Sequence, residues 1–446
     1  MKKSKLLKPI LNNDYEKVAY GKGVFLYTET GKEFLDGCSG AIVANIGHGV
    51  EEITETACEQ MQNISFVYRT QFTSQSAEML AEKLIEKTPG MDYVFYVNSG
   101  SEATEVACRL AIQHWQEKGK PFKQKILSRK ISYHGTTFGA LSISGHFQRR
   151  IRFNVLLNDT PSVVPPYCFK CPYSLTPEIC GLKCAYDLEQ KIKEYGSDSI
   201  AAFIAEPIIG ASGAMITPPD GYYQIIREIC DKYDILFITD EVMTGLGRTG
   251  EWLAIDHWDV TPDIIVLGKG MSAGYTPIAA ILASEKVIAP LEDGSGVNVY
   301  GHTYSGNPLS TAISLGVINY MEKNNVIDNV KSVTPYFEKR LNQLQKKFPI
   351  IVDIRGKGLL KGLELDYTNH PDCKRENLSD VLVAEAYKVG LIIYPSSGIN
   401  NSMEGEAIIV APPLTITENE LSILFDRLEL AFLNSINIIQ EVTHGI

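Results

Sequence analysis

The 446 residues are 44% hydrophobic and carry a formal net charge of −11 at pH 7. That composition can bury large cores in two or three domains. The basic residues are scattered, which excludes a phosphate-tracking nucleic-acid surface, and no stretch supplies the ~18 uninterrupted apolar residues of a membrane span.

The chain opens on Met1-Lys2-Lys3-Ser4-Lys5-Leu6-Leu7-Lys8-Pro9, which is basic but has no apolar run behind it. A secretory signal is therefore not expected there, and a cytoplasmic location is. From about Val94 to Leu282, short apolar runs alternate with helical patterns, which predicts a mostly parallel sheet with helices on both faces. The run Tyr93-Val94-Phe95-Tyr96-Val97 meets Asn98-Ser99-Gly100-Ser101-Glu102-Ala103. Ala103, Val106, Ala107, Leu110 and Ala111 then fall on one helical face. The first turn of such a helix offers free N–H groups, the positive dipole end and the Ser101 hydroxyl to an anion, although Ser-Gly-Ser alone also suits an ordinary cap.

After the strand-like Lys125-Ile126-Leu127-Ser128 comes Ser132-Tyr133-His134-Gly135. Tyr133 could lay its ring over a flat cofactor or pack as a core tyrosine. Further on come Ala201-Ala202-Phe203-Ile204, a helix near Tyr222 to Tyr233, and Ile235-Leu236-Phe237-Ile238-Thr239, which closes on Asp240-Glu241. Thr261-Pro262-Asp263-Ile264-Ile265-Val266-Leu267-Gly268 ends at Lys269, and Ile278-Ala279-Ala280-Ile281-Leu282 follows. In Gly301-His302-Thr303-Tyr304-Ser305-Gly306-Asn307-Pro308, Thr303 could donate to a phosphate. Helical patterns begin near Pro308 to Glu322 and continue over Val326 to Lys347 and Leu378 to Val389, alternating with Ile351-Val352-Asp353 and Leu391-Ile392-Ile393.

Buried parallel strands open at their carboxyl ends onto the crevice where α/β sheets bind ligands, so Lys269 and Asp240 are expected to face one pocket. A lysine there can form a Schiff base with an aldehyde, and a carboxylate can keep a pyridine nitrogen protonated. Together they suit pyridoxal phosphate, whereas a lone lysine after a strand would read as a solvated amine.

With these pieces in this order, the chain resembles the class III pyridoxal-phosphate-dependent aminotransferases of fold type I over nearly its whole length. The likeness runs from Gly21-Lys22-Gly23-Val24-Phe25-Leu26 and Phe34-Leu35-Asp36-Gly37-Cys38-Ser39-Gly40, similar to the family's N-terminal strands, to Ala411-Pro412-Pro413-Leu414-Thr415-Ile416-Thr417. Its most specific stretch is Thr239-Asp240-Glu241-Val242 through Gly245-Leu246-Gly247-Arg248-Thr249-Gly250 to Lys269. The resemblance implies an α/β fold: a large domain with a mostly parallel seven-stranded sheet flanked by helices, and a smaller α/β domain from both termini. The expected boundaries are residues 1–55 and 326–446 for the small domain and 56–325 for the large one.

By the same resemblance Lys269 would hold the cofactor as an internal aldimine and Asp240 would pair with its pyridine nitrogen. Val242 and Tyr133 would pack on the two ring faces, and Gly100 and Ser101 would bind the phosphate. Thr303 would reach in from a neighbouring subunit, which implies a homodimer with a shared active site, or a tetramer built from it. Glu206, in Ala205-Glu206-Pro207, would lie near the cofactor and could pair with a substrate-binding arginine. The activity implied is ping-pong transfer of an amino group from an amine or an ω- or α-amino acid to pyruvate or 2-oxoglutarate. The alternative within the family is a racemase, epimerase or aminomutase using the same lysine. A dinucleotide-binding protein or noncatalytic module is disfavoured, because Gly100 lies in neither G-x-G-x-x-G nor G-K-[ST].

Two departures bear on substrate. Met243 stands where many members carry glutamine, which resembles the branch acting on amines and ω-amino acids. The positions where relatives often place a carboxylate-gripping arginine read Ala407-Ile408-Ile409-Val410 and Leu391-Ile392-Ile393-Tyr394-Pro395. Arg69, Arg149, Arg150, Arg152 and Arg355 remain as candidates for that task.

The nine cysteines are expected to stay reduced, with Cys38, Cys58, Cys108, Cys230 and Cys373 as isolated small core residues. Cys168, Cys171, Cys180 and Cys184 form a C-x2-C and C-x3-C pair whose spacing could close a tetrahedral thiolate site for zinc or iron. Inert or redox-active thiols are the alternative, and a structural or subunit-contact role is the more natural one for this insert.

Overall fold

A computed structural model describes residues 5–366, 378–400 and 404–444. The apolar runs between Tyr93 and Ala283 form one seven-stranded sheet, in the spatial order Tyr93–Val97, Ala279–Ala283, Ile264–Leu267, Leu236–Asp240, Ile200–Ala205, Lys125–Arg129, Ser162–Val163. All neighbours are parallel except Ala279–Ala283, which runs antiparallel to both of its own. Both faces are covered because side chains alternate across the strands. Ile204, Ile238 and Val266 pack with Ala103, Val106, Ala107, Leu110 and Ala111 of the helix Gly100–Glu117. Phe203, Phe237 and Ile265 face the opposite core with Tyr223, Ile226 and Ile229 of the helix Tyr222–Lys232.

Two four-stranded sheets flank this one. Val18–Lys22, Phe25–Thr28 and Glu33–Asp36 form the first with Leu391–Ile392, which lies parallel to Glu33–Asp36, so both ends of the chain share a sheet. Ile351–Lys357, Leu360–Leu365, Glu404–Val410 and Tyr394–Asn400 form the second, wholly antiparallel one. The long helices Pro308–Lys323 and Val326–Lys347 join the halves.

The N-terminal stretches do form strands: Gly21 to Leu26 spans a hairpin that Gly23 turns at φ +57°. The strand at Phe34 stops at Asp36, whose Oδ1 accepts from the Gly40 N–H at 2.9 Å and the Cys38 N–H at 3.3 Å and folds the chain back. One expectation is corrected. Cys58 is exposed, because the helix Glu51–Asn63 buries only Ile53. Cys38 and Cys230 are buried and Cys108 half-buried, while Cys373 lies outside the described residues.

Arg248 ties the N-terminal segment and the Ala411-Pro412-Pro413 turn to the glycine-rich loop. Fully buried, it donates to the Leu359 and Pro412 carbonyls, Ser39 Oγ and Asn45 Oδ1 at 3.3, 2.5, 3.2 and 2.8 Å. Burial pushes its pKa down to about 9 against the opposing pull of Asp36. Four acceptors around one guanidinium hold these segments together.

Candidate active site

The strand pair Leu236–Asp240 and Ile264–Leu267 is in parallel register, with Asp240 opposite Val266, so Asp240 and Lys269 emerge at the same carboxyl edge. Asp240 is buried, and its Oδ2 lies 2.8 Å from His134 Nδ1 while its Oδ1 accepts from the Val242 N–H at 3.1 Å. His134 is itself fixed: its N–H donates to Ser144 Oγ at 2.9 Å, and Thr104 Oγ1 donates to its carbonyl at 2.9 Å. His134 Nε2 is buried without a partner among the described residues.

Lys269 takes a left-handed backbone (φ +43°), a conformation that side chains other than glycine adopt only where the surroundings impose it. The side chain is half-buried, and its Nζ has no hydrogen-bond or ion-pair partner among the described residues. Its pKa is lowered to about 8, chiefly by burial; Asp240 and Glu206 pull it up, and Arg149 and Arg248 push it down. At pH 7 about one amine in ten is then neutral, against fewer than one in a thousand for an ordinary lysine. Reductive alkylation of the apoprotein by a small aldehyde should accordingly modify Lys269 with a midpoint near pH 8. Asp240→Asn should move that midpoint lower, since it removes a charge that favours the ammonium. Modification that first rises near pH 10 would contradict this environment. Because the unfolded chain holds the proton up to the ordinary lysine range, apoprotein stability should rise with pH above about 8.

The helix Gly100–Glu117 points its N-terminus into the same place. Ser99 caps it by accepting from the Glu102 N–H, and the Glu102 carboxylate returns to accept from the Asn98 N–H at 2.9 Å. These two bonds use neither the Gly100 nor the Ser101 N–H. Ser101 Oγ accepts from the Thr136 N–H at 3.0 Å, which leaves its own proton to donate. A Cβ at Gly100 would sit 2.9 Å from Val242 Cγ1, and one at Gly268 3.3 Å from the same atom. Val242 thus stands between the helix start and the Lys269 turn.

Glu206 closes the group. Its Oε2 accepts from the Tyr133 N–H at 3.1 Å and its Oε1 from the Gly210 N–H at 2.9 Å, while burial raises its pKa. Met243 Sδ would lie 2.6 Å from a Cβ at Gly210, so the thioether packs beside the Glu206 turn.

Lys269, Asp240, Val242, Gly100, Ser101, Tyr133 and Glu206 are therefore gathered in one place. A helix start with free N–H groups, a buried carboxylate and an unpartnered amine are residues that could hold the phosphate, ring nitrogen and aldehyde of pyridoxal phosphate. Thr303 stands apart from this set, exposed on its loop, where the neighbouring His302 lies 3.4 Å from Glu102.

The family model of class-III aminotransferases matches residues 11–432. The chain belongs to the class III aminotransferases. This aminotransferase is 47% identical over 94% of its length, and 95% of the relative's, to an uncharacterized aminotransferase of Bacillus subtilis. It is 33% identical to the putrescine–pyruvate aminotransferase of Pseudomonas aeruginosa, covering 91% and 87% of the two chains. Among solved structures, the omega transaminase of Pseudomonas jessenii in complex with PMP superposes with a TM-score of 0.88 at 31% identity, covering 95% and 94%. The fold is that of the fold type I transaminases, as the resemblance implied.

Most of the aminotransferase's candidate arginines are committed elsewhere. Arg355 pairs with Asp353 and Glu364 and donates to the Gly213 and Ala214 carbonyls. Arg69 donates to the Tyr300 carbonyl and Arg150 to the Ser144 carbonyl. Arg152 is exposed. Arg149 instead lays its guanidinium over the Tyr133 ring, 4.2 Å from the centroid. The histidine partner of Asp240 is a functional residue that sequence reasoning misses, although His134 stands next to Tyr133 in the same short motif.

All four cysteines of the insert, Cys168, Cys171, Cys180 and Cys184, line one narrow cavity with Tyr173 and Pro219. Among the described residues no group of three or more His, Cys, Asp or Glu side chains is arranged to hold a metal ion. No described helix is long and apolar enough to cross a membrane.

Proposed function

We propose that this aminotransferase is a pyridoxal 5'-phosphate enzyme that moves an amino group from an amine or an ω- or α-amino acid to pyruvate or 2-oxoglutarate in two half-reactions at one site. The observation that carries this reading is the unpartnered, readily deprotonated Lys269 amine beside Asp240. When bound, the cofactor supplies an aldehyde carbon that condenses with amines and a protonated ring that takes up the electron pair left when a substrate proton departs.

Lys269 would hold that aldehyde carbon through Nζ. The Lys269 amine, neutral in a useful fraction near pH 8, would accept the proton from the substrate carbon at Nζ and, as the ammonium so formed, would give the same proton back. Asp240, with one oxygen on His134 and the other accepting from the Val242 N–H, would present a fixed negative charge to the ring nitrogen. Val242 and Tyr133 would cover the ring faces. The Gly100 and Ser101 N–H groups and the Ser101 hydroxyl would hold the phosphate at the helix start. Glu206 orients Tyr133 through its backbone N–H. We place Thr303, exposed in the single chain, at the phosphate of a second subunit in a homodimer, and the enzyme in the cytoplasm.

A panel of primary amines, ω-amino acids and α-amino acids against pyruvate and 2-oxoglutarate tests the proposal. The expected result is alanine or glutamate formed from at least one donor, with parallel double-reciprocal lines. No amino acid formed from any pair would overturn it, and inversion of an amino acid without an oxoacid would replace it by the racemase reading.

A further inference from the structure

We propose that Arg149 binds the carboxylate of the 2-oxoacid acceptor from its place over the Tyr133 ring. The proposal rests on the aminotransferase reading above and assigns the residue that this reading leaves open. Among the described arginines, Arg149 and Arg152 alone have no side-chain hydrogen bond or ion pair, and Arg152 is exposed. Arg149 is half-buried, and its one contact of note is the face of Tyr133. A guanidinium held by a ring face through its carbon spends none of its N–H groups on that contact, which leaves them free to meet both oxygens of a carboxylate.

The short helix Phe147–Arg150 that carries it is braced. His146 Nε2 lies 2.9 Å from the Ser397 carbonyl, and Ser397 Oγ donates to Gln148 Oε1 at 3.0 Å. Arg149 shares a cavity with His146, Gln148, Ala211, Pro395, Ser396 and Ser397, a lining without a carboxylate. Tyr394 and Pro395 are in register with Ile409 and Ile408, so the two segments that lack arginine lie side by side on one wall of that region. The cation comes to the cavity from the Tyr133 side instead. Ala211 belongs to the turn after Glu206, which links the cavity to the gathered residues. The charge of Arg149 also reaches Lys269, whose amine it helps to keep neutral.

The test compares the wild-type holoenzyme with Arg149→Ala and Arg149→Lys. Arg149→Ala should raise the KM for pyruvate and 2-oxoglutarate at least about 30-fold, the scale of a lost bidentate charged pair. The half-reaction with a donor amine lacking a carboxylate should fall by a much smaller factor than the oxoacid half-reaction, since it loses only the influence of Arg149 on Tyr133 and Lys269, and Arg149→Lys should recover part of the oxoacid loss. Calorimetry with oxamate, a pyruvate-shaped carboxylate that cannot be transaminated, should find binding at least about tenfold weaker in the alanine variant. Oxamate binding that is absent from the wild type or equal in the variant would overturn the assignment. So would an equal loss in the amine half-reaction, which would mean that Arg149 only positions Tyr133. If the wild type binds oxamate through Arg149 yet transaminates nothing, the carboxylate site stands and the proposed reaction falls.

Discussion

Replacing Lys269 by alanine should reduce kcat at least about 10⁴-fold, because it removes the covalent attachment and the proton carrier together. The loss should not come from unfolding. Lys269 Nζ has no protein partner among the described residues, so truncation strands no buried group, and alanine meets the same left-handed backbone constraint as lysine. A variant apoprotein that melts no lower than the wild type, read beside steady-state kinetics, separates the cases, because the buried ammonium it lacks costs the wild type stability near neutral pH. A variant that retains more than about a tenth of wild-type turnover would remove Lys269 from the chemistry.

Asp240→Asn should be the second most damaging change, lowering kcat/KM by about a hundred- to a thousandfold, the scale of losing one preorganised charge at a developing charge. The amide is nearly isosteric, and it can still face His134 Nδ1 and the Val242 N–H. What it lacks is the negative charge that favours a protonated ring nitrogen. The fold should survive, as circular dichroism would verify, and the absorbance of bound cofactor should shift along with the loss of rate. An Asp240→Asn enzyme within about fivefold of wild type would mean that the carboxylate acts only as a structural hydrogen-bond acceptor.

Where the chemistry depends on residues near one another in the chain, it is legible in the sequence alone. The runs Leu236–Asp240 and Ile264–Leu267 are short, apolar and bounded by polar turns, so their pairing and shared carboxyl edge follow from pattern. The helix start at Gly100 is marked by its glycine, its serines and the spacing of its apolar face. The partners that fix these groups are not legible, because they meet through long loop closures. His134 reaches Asp240 across 106 residues, and Ser397 braces His146 across 251. Arg149 is one of five candidate arginines until the acceptors of the others are located in space, which only tertiary structure does. The switch from Leu391–Ile392 in one sheet to Tyr394–Asn400 in another has no signal in periodicity, since both segments read as extended.

The most direct measurement is peptide mass spectrometry of the protein after incubation with pyridoxal 5'-phosphate and borohydride reduction. The expected result is one reduced cofactor adduct, on Lys269, with the other lysines unmodified and the yellow colour lost on reduction. An unmodified Lys269, or an adduct confined to a different lysine, would contradict the account.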